Sequence, residues 1–455
     1  MMRSLYSGVA GLKTHQTRMD VIGNNIANVN TTAYKSQSMT FSDLMYQTTQ
    51  AASGANPTTG VGGINARQIG LGAKTSAIKT AITTQGASQT TNDPFDIMIT
   101  GDSFFIVNNG QNNYFTRDGS FYVDGAGNLA MTSTGYNVMG WKVDPNDASA
   151  IKQDTVSALR VMTTENMTYP PEATKSARIS GIIDKNDTNV NATAGKIMNL
   201  EFYDNQGYKY TAKLSVHSTK TDGQFTVKLD DILDSKGKSV LADPTKASLQ
   251  QNNADVKDPV LEFDLKNGSF KNVGPTGGAA GGTESTLTLH FDAGTFPSFT
   301  DITIDFSKCS NLNNNGSSTV SPIRGDAKGN GAGRKVGEMS GIEIQKDGMI
   351  YANYDNGCSR LLGQIAVATF ANASGLAKEG DNLYSATQNS GDFDGIGTDI
   401  TTGGGYMNTG VLEMSNVDLS SEFTEMITTQ RGFQANSRII TVSDTLLEEL
   451  TNLKR

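Results

Sequence analysis

The stretch that decides the fold is Ser415-Asn-Val-Asp-Leu-Ser-Ser-Glu-Phe-Thr-Glu-Met426, continuing through Ile427-Thr-Thr-Gln-Arg-Gly-Phe-Gln-Ala-Asn436 to Arg455. Large apolar side chains recur there every seven positions, at Leu419, Met426, Phe433, Ile440 and Leu447, with a second row at Ile439, Leu446 and Leu453. Seven residues are close to two helical turns, so the spacing predicts one long helix with an apolar face. About 35 residues at roughly 1.5 Å of rise make a rod of about 50 Å. A rod with such a face requires a partner, and the first residues offer one. Leu5, Leu12, Met19 and Ile26 are also seven apart, and Val9 and Ile22 widen the stripe.

With 455 residues the chain has room for more than one core. Charged residues are 18%, below the roughly 25% of ordinary soluble proteins, and glycine is abundant. The net charge of -9 repels phosphate backbones and anionic lipid, which argues against a nucleic-acid partner. No run approaches the roughly 18 apolar residues of a membrane span, so no membrane insertion is expected. Met1 to Lys13 carries a single Arg and no continuous apolar core. It lacks the pattern of a Sec-type signal peptide. Cys309 and Cys358 are too few and too far apart to read as a disulfide framework.

Along the chain, residues 4 to 28 read as a helix with Ser4 as its cap, ended by the Asn-rich run from Gly23 to Lys35. Residues 47 to 85 are poor in large apolar side chains and read as an extended connector. Strands begin near Phe95, punctuated by Asn109-Gly110, Asp118-Gly119 and Asp124-Gly125 as hairpin turns, with a boundary at Asp144-Pro-Asn-Asp147. From about 150 to 335 a period of two is clear in Tyr208 to Val216, Phe225 to Leu229, Leu261 to Leu265, Leu287 to Phe291 and Ile302 to Phe306. The stretches 274–282 and 311–333 read as surface loops or a linker. Hairpin texture returns after Gly337. The expected fold is mainly β with terminal α-helices, in nested discontinuous domains. Residues 1–70 with 415–455 form a coiled-coil-like assembly layer and connector. Residues 71–145 with 335–414 form an inner β domain. Residues 146–334 form an inserted antiparallel β domain of one or two subdomains.

No constellation for catalysis emerges. His15, His217 and His290 have no Cys or His partner at metal-ligand spacing, and neither Cys has the context of a catalytic thiol. Gly329-Asn-Gly-Ala-Gly-Arg-Lys335 fits neither phosphate-loop pattern and reads as a flexible linker. Asp392-Phe-Asp-Gly-Ile-Gly-Thr-Asp399 places carboxylates around a glycine but lacks the Glu of a calcium loop, so a solvated acidic turn is the better reading. The chain is expected to be no enzyme, with no cofactor and no metal.

Asn24-Asn-Ile-Ala-Asn-Val-Asn-Thr-Thr-Ala-Tyr-Lys35 resembles the N-terminal motif of the bacterial flagellar rod and hook proteins, on Asn24, Asn25, Asn28 and Asn30. Ser415-Asn-Val-Asp-Leu-Ser420 and Met426-Ile-Thr-Thr-Gln-Arg-Gly-Phe-Gln-Ala-Asn436 resemble their C-terminal motif, on Asn416, Asp418, Gln430, Arg431 and Asn436. The resemblance continues in Gly101-Asp-Ser-Phe-Phe105, Tyr114-Phe-Thr-Arg-Asp-Gly119, Gly363-Gln-Ile-Ala-Val-Ala368 and Gly410-Val-Leu-Glu-Met-Ser-Asn-Val417. Two departures stand out. Ala33 replaces a usual Gly, and Gly432 precedes Phe433 where Ala-Tyr is usual.

Within that family the long insert fits the hook members better than the distal rod members. The resemblance implies a subunit that assembles with itself into a curved helical tube, a universal joint between rod and filament, located in the extracellular hook. It also implies export by the flagellar type III apparatus without a cleaved signal peptide, and contact with the hook cap, the distal rod and the hook-filament junction proteins. The apolar rows at both termini would be the assembly interface, ordering as subunits meet. A distal rod subunit and a secreted β-rich adhesin with oligomerising helices are the competing readings.

Overall fold

The structure, a computed structural model, describes residues 2–54, 60, 62–241, 246–252, 254–275 and 284–453. Most of the glycine-rich loop at 274–282 and the last two residues of the C-terminal stretch lie outside the described residues. The chain forms two compact units. One comprises the residues up to Thr163 with Ile342–Ala352 and the chain from Arg360 onward; the other comprises Thr164–Gly341 with Asn353–Ser359.

In the first unit, helix α1 (Met2–Ala27) and helix α2 (Leu419–Asn452) are both formed in the single chain and pack against each other. The expected cap at Ser4 is wrong: the helix already runs from Met2, and the Ser4 hydroxyl faces that of Ser443 across the pair at 3.5 Å. α1 stops where Asn28 folds back, its carboxamide donating to Asn24 O at 2.9 Å. Such a local bond competes with the helical ladder. α2 starts at Asp418, whose carboxylate accepts from Ser420 N at 3.0 Å, with Glu422 in the first turn where negative charge suits the helix dipole.

The expected connector is a two-stranded ribbon. Strand β1 (Gln37–Asp43) pairs antiparallel with β4 (Ala73–Thr80), and β2 (Tyr46–Gln50) with β3 (Arg67–Gly70). The segment is extended as its composition suggests, but it satisfies its backbone by folding back on itself. Phe41, Met45, Tyr46, Ile64, Ile69 and Ile78 are exposed along it.

Beyond the ribbon, segments from the two halves of the chain interlock. Ser88–Thr90 pairs with Val411–Glu413, and Ile97–Thr100 with Tyr406–Thr409. A larger antiparallel sheet places Asn137–Asp144 beside Phe104–Asn108, then Asn113–Thr116, Leu383–Ser385 and Ala377–Gly380. Ile97, Ile99, Phe105, Val107, Phe121, Leu129, Met131, Val138, Ile365 and Met407 form its core. Asn109 and Asp124 turn the chain as expected, each carboxamide or carboxylate accepting from backbone N–H groups ahead of it. Asp118-Gly119 is no hairpin turn: Asp118 is buried, and a Cβ on Gly119 would meet Ile97 O, so this glycine allows two backbones to cross. Asp144–Asp147 turns one strand into the next, Asp147–Ile151, within the first unit.

The second unit is a sandwich. One sheet orders Lys196–Tyr203, Lys209–Ser218, Gln224–Asp234, Val260–Phe263 and Phe270–Gly274; the other orders Ala254–Asp255, Ala247–Gln251, Thr286–Phe291, Ile302–Asn311, Ser176–Ile183 and Ser321–Arg324. Leu214, Val216, Phe225, Val227, Leu261, Leu289, Ile304 and Phe306 fill one core between them. Among the described residues the pairings of these two sheets are antiparallel except that of Ser176–Ile183 with Ile302–Asn311, which is parallel. Tyr208 and Leu265, which end two of the period-of-two rows, are 62% and 73% exposed because they lie beyond the ends of their strands. The glycine-rich segment near 329–335 is no free linker. Ser176 and Thr174 hydroxyls donate to Asn330 O and Ala332 O, and Arg334 N donates to Glu172 O at 2.7 Å. Cys309 and Cys358 are both free and buried, and burial pushes the Cys309 thiol up to about 12.

Ala33 explains one departure from the family pattern. Its φ is 55°, in the left-handed region, while its N–H donates to Glu413 O at 2.8 Å and its side chain is buried. A Cβ in that region costs roughly 1–2 kcal/mol, which a glycine avoids. Ala33→Gly is therefore expected to stabilise the first unit by up to about 1 kcal/mol after the extra chain entropy of glycine is subtracted. Urea titration followed by tryptophan fluorescence of Trp141 checks this, and a lower midpoint for the variant would contradict it.

Candidate assembly interface

The junction between the two chain ends is built on three charged side chains. Lys35, at the end of the Asn-rich motif, donates to Glu413 Oε1 at 2.6 Å and to Thr84 O at 2.8 Å. Gly86 N donates to the same carboxylate oxygen at 2.9 Å. Arg117 Nη1 lies 3.8 Å from Glu413 Oε2, and Arg117 also donates to Gly101 O and covers the Phe104 ring at 5.2 Å. The Lys35 and Glu413 side chains are 0% and 1% exposed. Burial pulls the Lys35 ammonium below its ordinary range and the Glu413 carboxylate beside it opposes that; burial also pulls Arg117 down. Each charge is kept by the others, since a buried ion without a partner is very costly.

The motif asparagines complete this junction. Asn25, fully buried, accepts from Gln37 N at 2.9 Å and from Tyr34 Oη, and its amide donates to Gln37 O and to Glu422 Oε1 on α2. Asn24 donates to Tyr34 Oη, and Asn28 Oδ1 accepts from Thr31. Asn416 accepts from Ser36 N at 2.7 Å and donates to Ala81 O and Thr84 O. Asn30, Gln430 and Arg431 are exposed. Asp118 and Asn382 sit on the far side of the turn, and Asn382 donates to Thr32 O at 2.8 Å.

Across the helix pair the seam is made of small and polar residues. A Cβ on Gly11 would stand 2.7 Å from Asn436 Nδ2, one on Gly432 2.6 Å from His15 Cε1, and one on Gly8 3.3 Å from Ile440 Cγ1. Arg18 pairs with Glu425 at 3.0 Å further along. The two helices thus run antiparallel with Asn436 seated against Gly11 and His15 against Gly432; at the second departure from the family pattern, an alanine at 432 would meet the His15 ring unless that ring moved.

The large apolar residues of the rows flank that seam. Ile22 is 2% exposed and serves the core of its own chain, so it is not available to a neighbour. Leu5, Leu12, Met19, Ile26, Met426, Phe433, Ile440 and Leu447 are partly covered. Val9, Leu419, Ile439, Leu446 and Leu453 are exposed, the last by 81%, together with Phe423, Ile427, Val442 and Leu450, which the seven-residue count did not select. Lys35, Arg117 and Glu413 were legible only as members of three separate motifs. No sequence spacing brings them together.

Other candidates have local roles. Asp394 accepts from Ile396 N and Gly397 N, and Asp399 caps the short helix Ile400–Gly403. Among the described residues no group of three His, Cys, Asp or Glu is arranged to hold a metal, and no helix is long and apolar enough to cross a membrane.

Three family models match the chain. Residues 5–35 match the flagella basal body rod protein, residues 98–180 the flagellar hook protein FlgE/F/G D1 domain, and residues 408–453 the flagellar basal body rod FlgEFG protein C-terminal region. The chain is 37% identical to the flagellar hook protein FlgE of Borreliella burgdorferi and 35% identical to that of Treponema pallidum, in each case over 100% of both chains. It is 29% identical to the flagellar basal-body rod protein FlgG of Bacillus subtilis, again over 100% of both. A crystal structure of the Helicobacter pylori flagellar hook protein FlgE2 aligns at a TM-score of 0.41 and 15% identity, covering 72% of this chain and 100% of that one.

Removing the Lys35 charge leaves Glu413 buried with its ion pair broken. Lys35→Met is therefore expected to destabilise the first unit by about 3–5 kcal/mol. Guanidinium unfolding checks this, and a loss below about 1 kcal/mol would remove the ion pair from its place at the junction.

Proposed function

The chain belongs to the flagellar hook protein family, and from that premise we propose how it works as a hook subunit. It is a structural protein of the flagellar hook that polymerises with itself within the flagellar axial structure. The proposal adds that the polymer is a curved helical tube acting as a universal joint between rod and filament. It adds that the terminal helices, in a layer with the ribbon, make the inner contacts of that tube, and that export runs through the flagellar type III apparatus without a cleaved signal peptide. The hook cap, the distal rod and the hook-filament junction proteins are the neighbours this reading requires.

The observation that carries it is the exposed apolar surface of α2. Leu419, Phe423, Ile427, Ile439, Val442, Leu446, Leu450 and Leu453 are 38–81% exposed on one helix. Fully burying such side chains contributes roughly 1.5–3 kcal/mol each. Covering the exposed part of this set thus yields on the order of 10 kcal/mol per subunit before the entropy of association is subtracted. The ribbon, with Met45 and Tyr46 exposed beside fully exposed strands, needs the same cover, because an isolated two-stranded ribbon is marginal in water. A head-to-tail contact that does not close on itself generates an open helical polymer. Weakly charged Asn, Thr, Gly and Ser surfaces suit outer contacts that slide as the tube bends, since few ion pairs fix one register.

Replacing residues 415–455 by a scrambled sequence of equal composition is expected to abolish tube growth while the sandwich core stays folded. Negative-stain electron microscopy and circular dichroism read the two effects. Tubes of normal form from the scrambled chain would remove the terminal helices from the assembly, and straight tubes from the unaltered chain would favour a rod role.

A further inference from the structure

His15 occupies an unusual position for a titratable side chain. It stands in the middle of the α1/α2 seam, its ring edge against Phe41 of β1 at 5.5 Å and 72°, and its other side in the space that Gly432 leaves open. Nδ1 is buried and meets no acceptor among the described residues. Arg18, one turn further along α1, lies over the same Phe41 ring at 5.4 Å. The charged residues on the surrounding elements are Arg3, Lys13, Arg18 and Asp20 on α1, Asp43 on β1, Lys74 and Lys79 on β4, and Glu422, Glu425, Arg431, Arg438, Asp444, Glu448 and Glu449 on α2. Of these Arg18 is the one that acts on the imidazole, and the carboxylate that could offset it, Glu425, is already committed to Arg18 at 3.0 Å.

We propose that the α1/α2 pairing is an acid-labile clasp and that His15 is its proton sensor. A neutral imidazole fits the notch as a flat, nearly apolar plug. The imidazolium adds a second N–H and a full charge in a place with no acceptor for either, beside a second cation. Expelling the ring into water relieves both, but the ring cannot leave without parting the helices, because it is the knob that fills the Gly432 notch. The clasp therefore opens while the β core, whose packing does not involve His15, stays closed.

The direction follows from linkage. Burial, then Arg18, hold the His15 imidazole below its ordinary 6.5 in the closed state. The open state binds the proton more tightly, so the closed clasp has its full stability above about pH 6.5 and loses it as the pH falls. The opening constant rises by up to tenfold per pH unit until the closed-state value is passed. Since α2 carries the exposed apolar rows, acid opening would also loosen assembly; that consequence rests on the function proposed above, whereas the opening of the clasp does not.

The experiment is a pH series from about 8 to about 5 on the full chain, wild type beside His15→Gln and His217→Gln, read by amide hydrogen exchange corrected for intrinsic rates. Wild type and His217→Gln should lose protection in residues 8–22 and 425–440 below about pH 6.5 while residues 97–107 keep theirs, and His15→Gln should stay flat. Equal losses in wild type and His15→Gln, or no loss in wild type, would overturn the proposal. Should His15→Gln prove unpaired at every pH, an NMR titration of the His15 ring in the wild-type chain decides: a midpoint below 6.5 supports the clasp, and one at or above 6.5 rejects it.

Discussion

An ammonium, a carboxylate and a guanidinium that water does not reach hold the two ends of this chain together. Lys35 closes the N-terminal motif, Glu413 sits in the last strand before α2, and Arg117 comes from the β layer between them. A buried ion pair adds little net stability, because desolvation cancels much of its attraction. Its effect is on choice of structure. An arrangement that keeps one of these charges buried while removing its partner is strongly disfavoured, which narrows how those ends can pack. The carboxamides of Asn25 and Asn416 extend the same logic to neutral groups, each satisfying backbone atoms that a turn leaves without ladder partners.

The helix pair depends on that junction for its register. Asn25 reaches Glu422 at one end of the seam, and from there the contacts proceed through Arg18 and Glu425, His15 and Gly432, Gly11 and Asn436, and Gly8 and Ile440. Small residues on the seam let the helices approach closely, and their choice has a second effect. If the seam used the large apolar residues, the pair would be a self-sufficient hairpin. Because glycine, asparagine and histidine take up much of it, many of the large side chains of α2 are left exposed.

The sandwich follows a different principle. Its core is a continuous set of inward-facing residues from two sheets, filled by Phe202, Phe225, Phe263, Phe291 and Phe306 among aliphatic neighbours, with polar residues alternating outward along each strand. A unit closed in this way carries no comparable demand for cover by other chains. The two units are thus built differently: one leaves large apolar side chains of α2 exposed, and the other encloses its own core.

The sequence alone determined the two long helices, the mainly β body and the family. These rest on period and motif, which are properties of neighbouring residues. Only the tertiary structure decided which face of each helix is inside. A seven-residue count selects large side chains, and here small residues share the contact with them, so Gly8, Gly11 and Gly432 were invisible to it, while Ile22, named with the stripe, is buried within its own chain. The same holds for the ribbon, whose strands have too few large apolar residues to announce themselves and are defined by their mutual hydrogen bonds. It holds most of all for Lys35, Glu413 and Arg117. Each is an ordinary charged residue in its own segment, and only the fold, by bringing them within one dry space, makes them a single interaction.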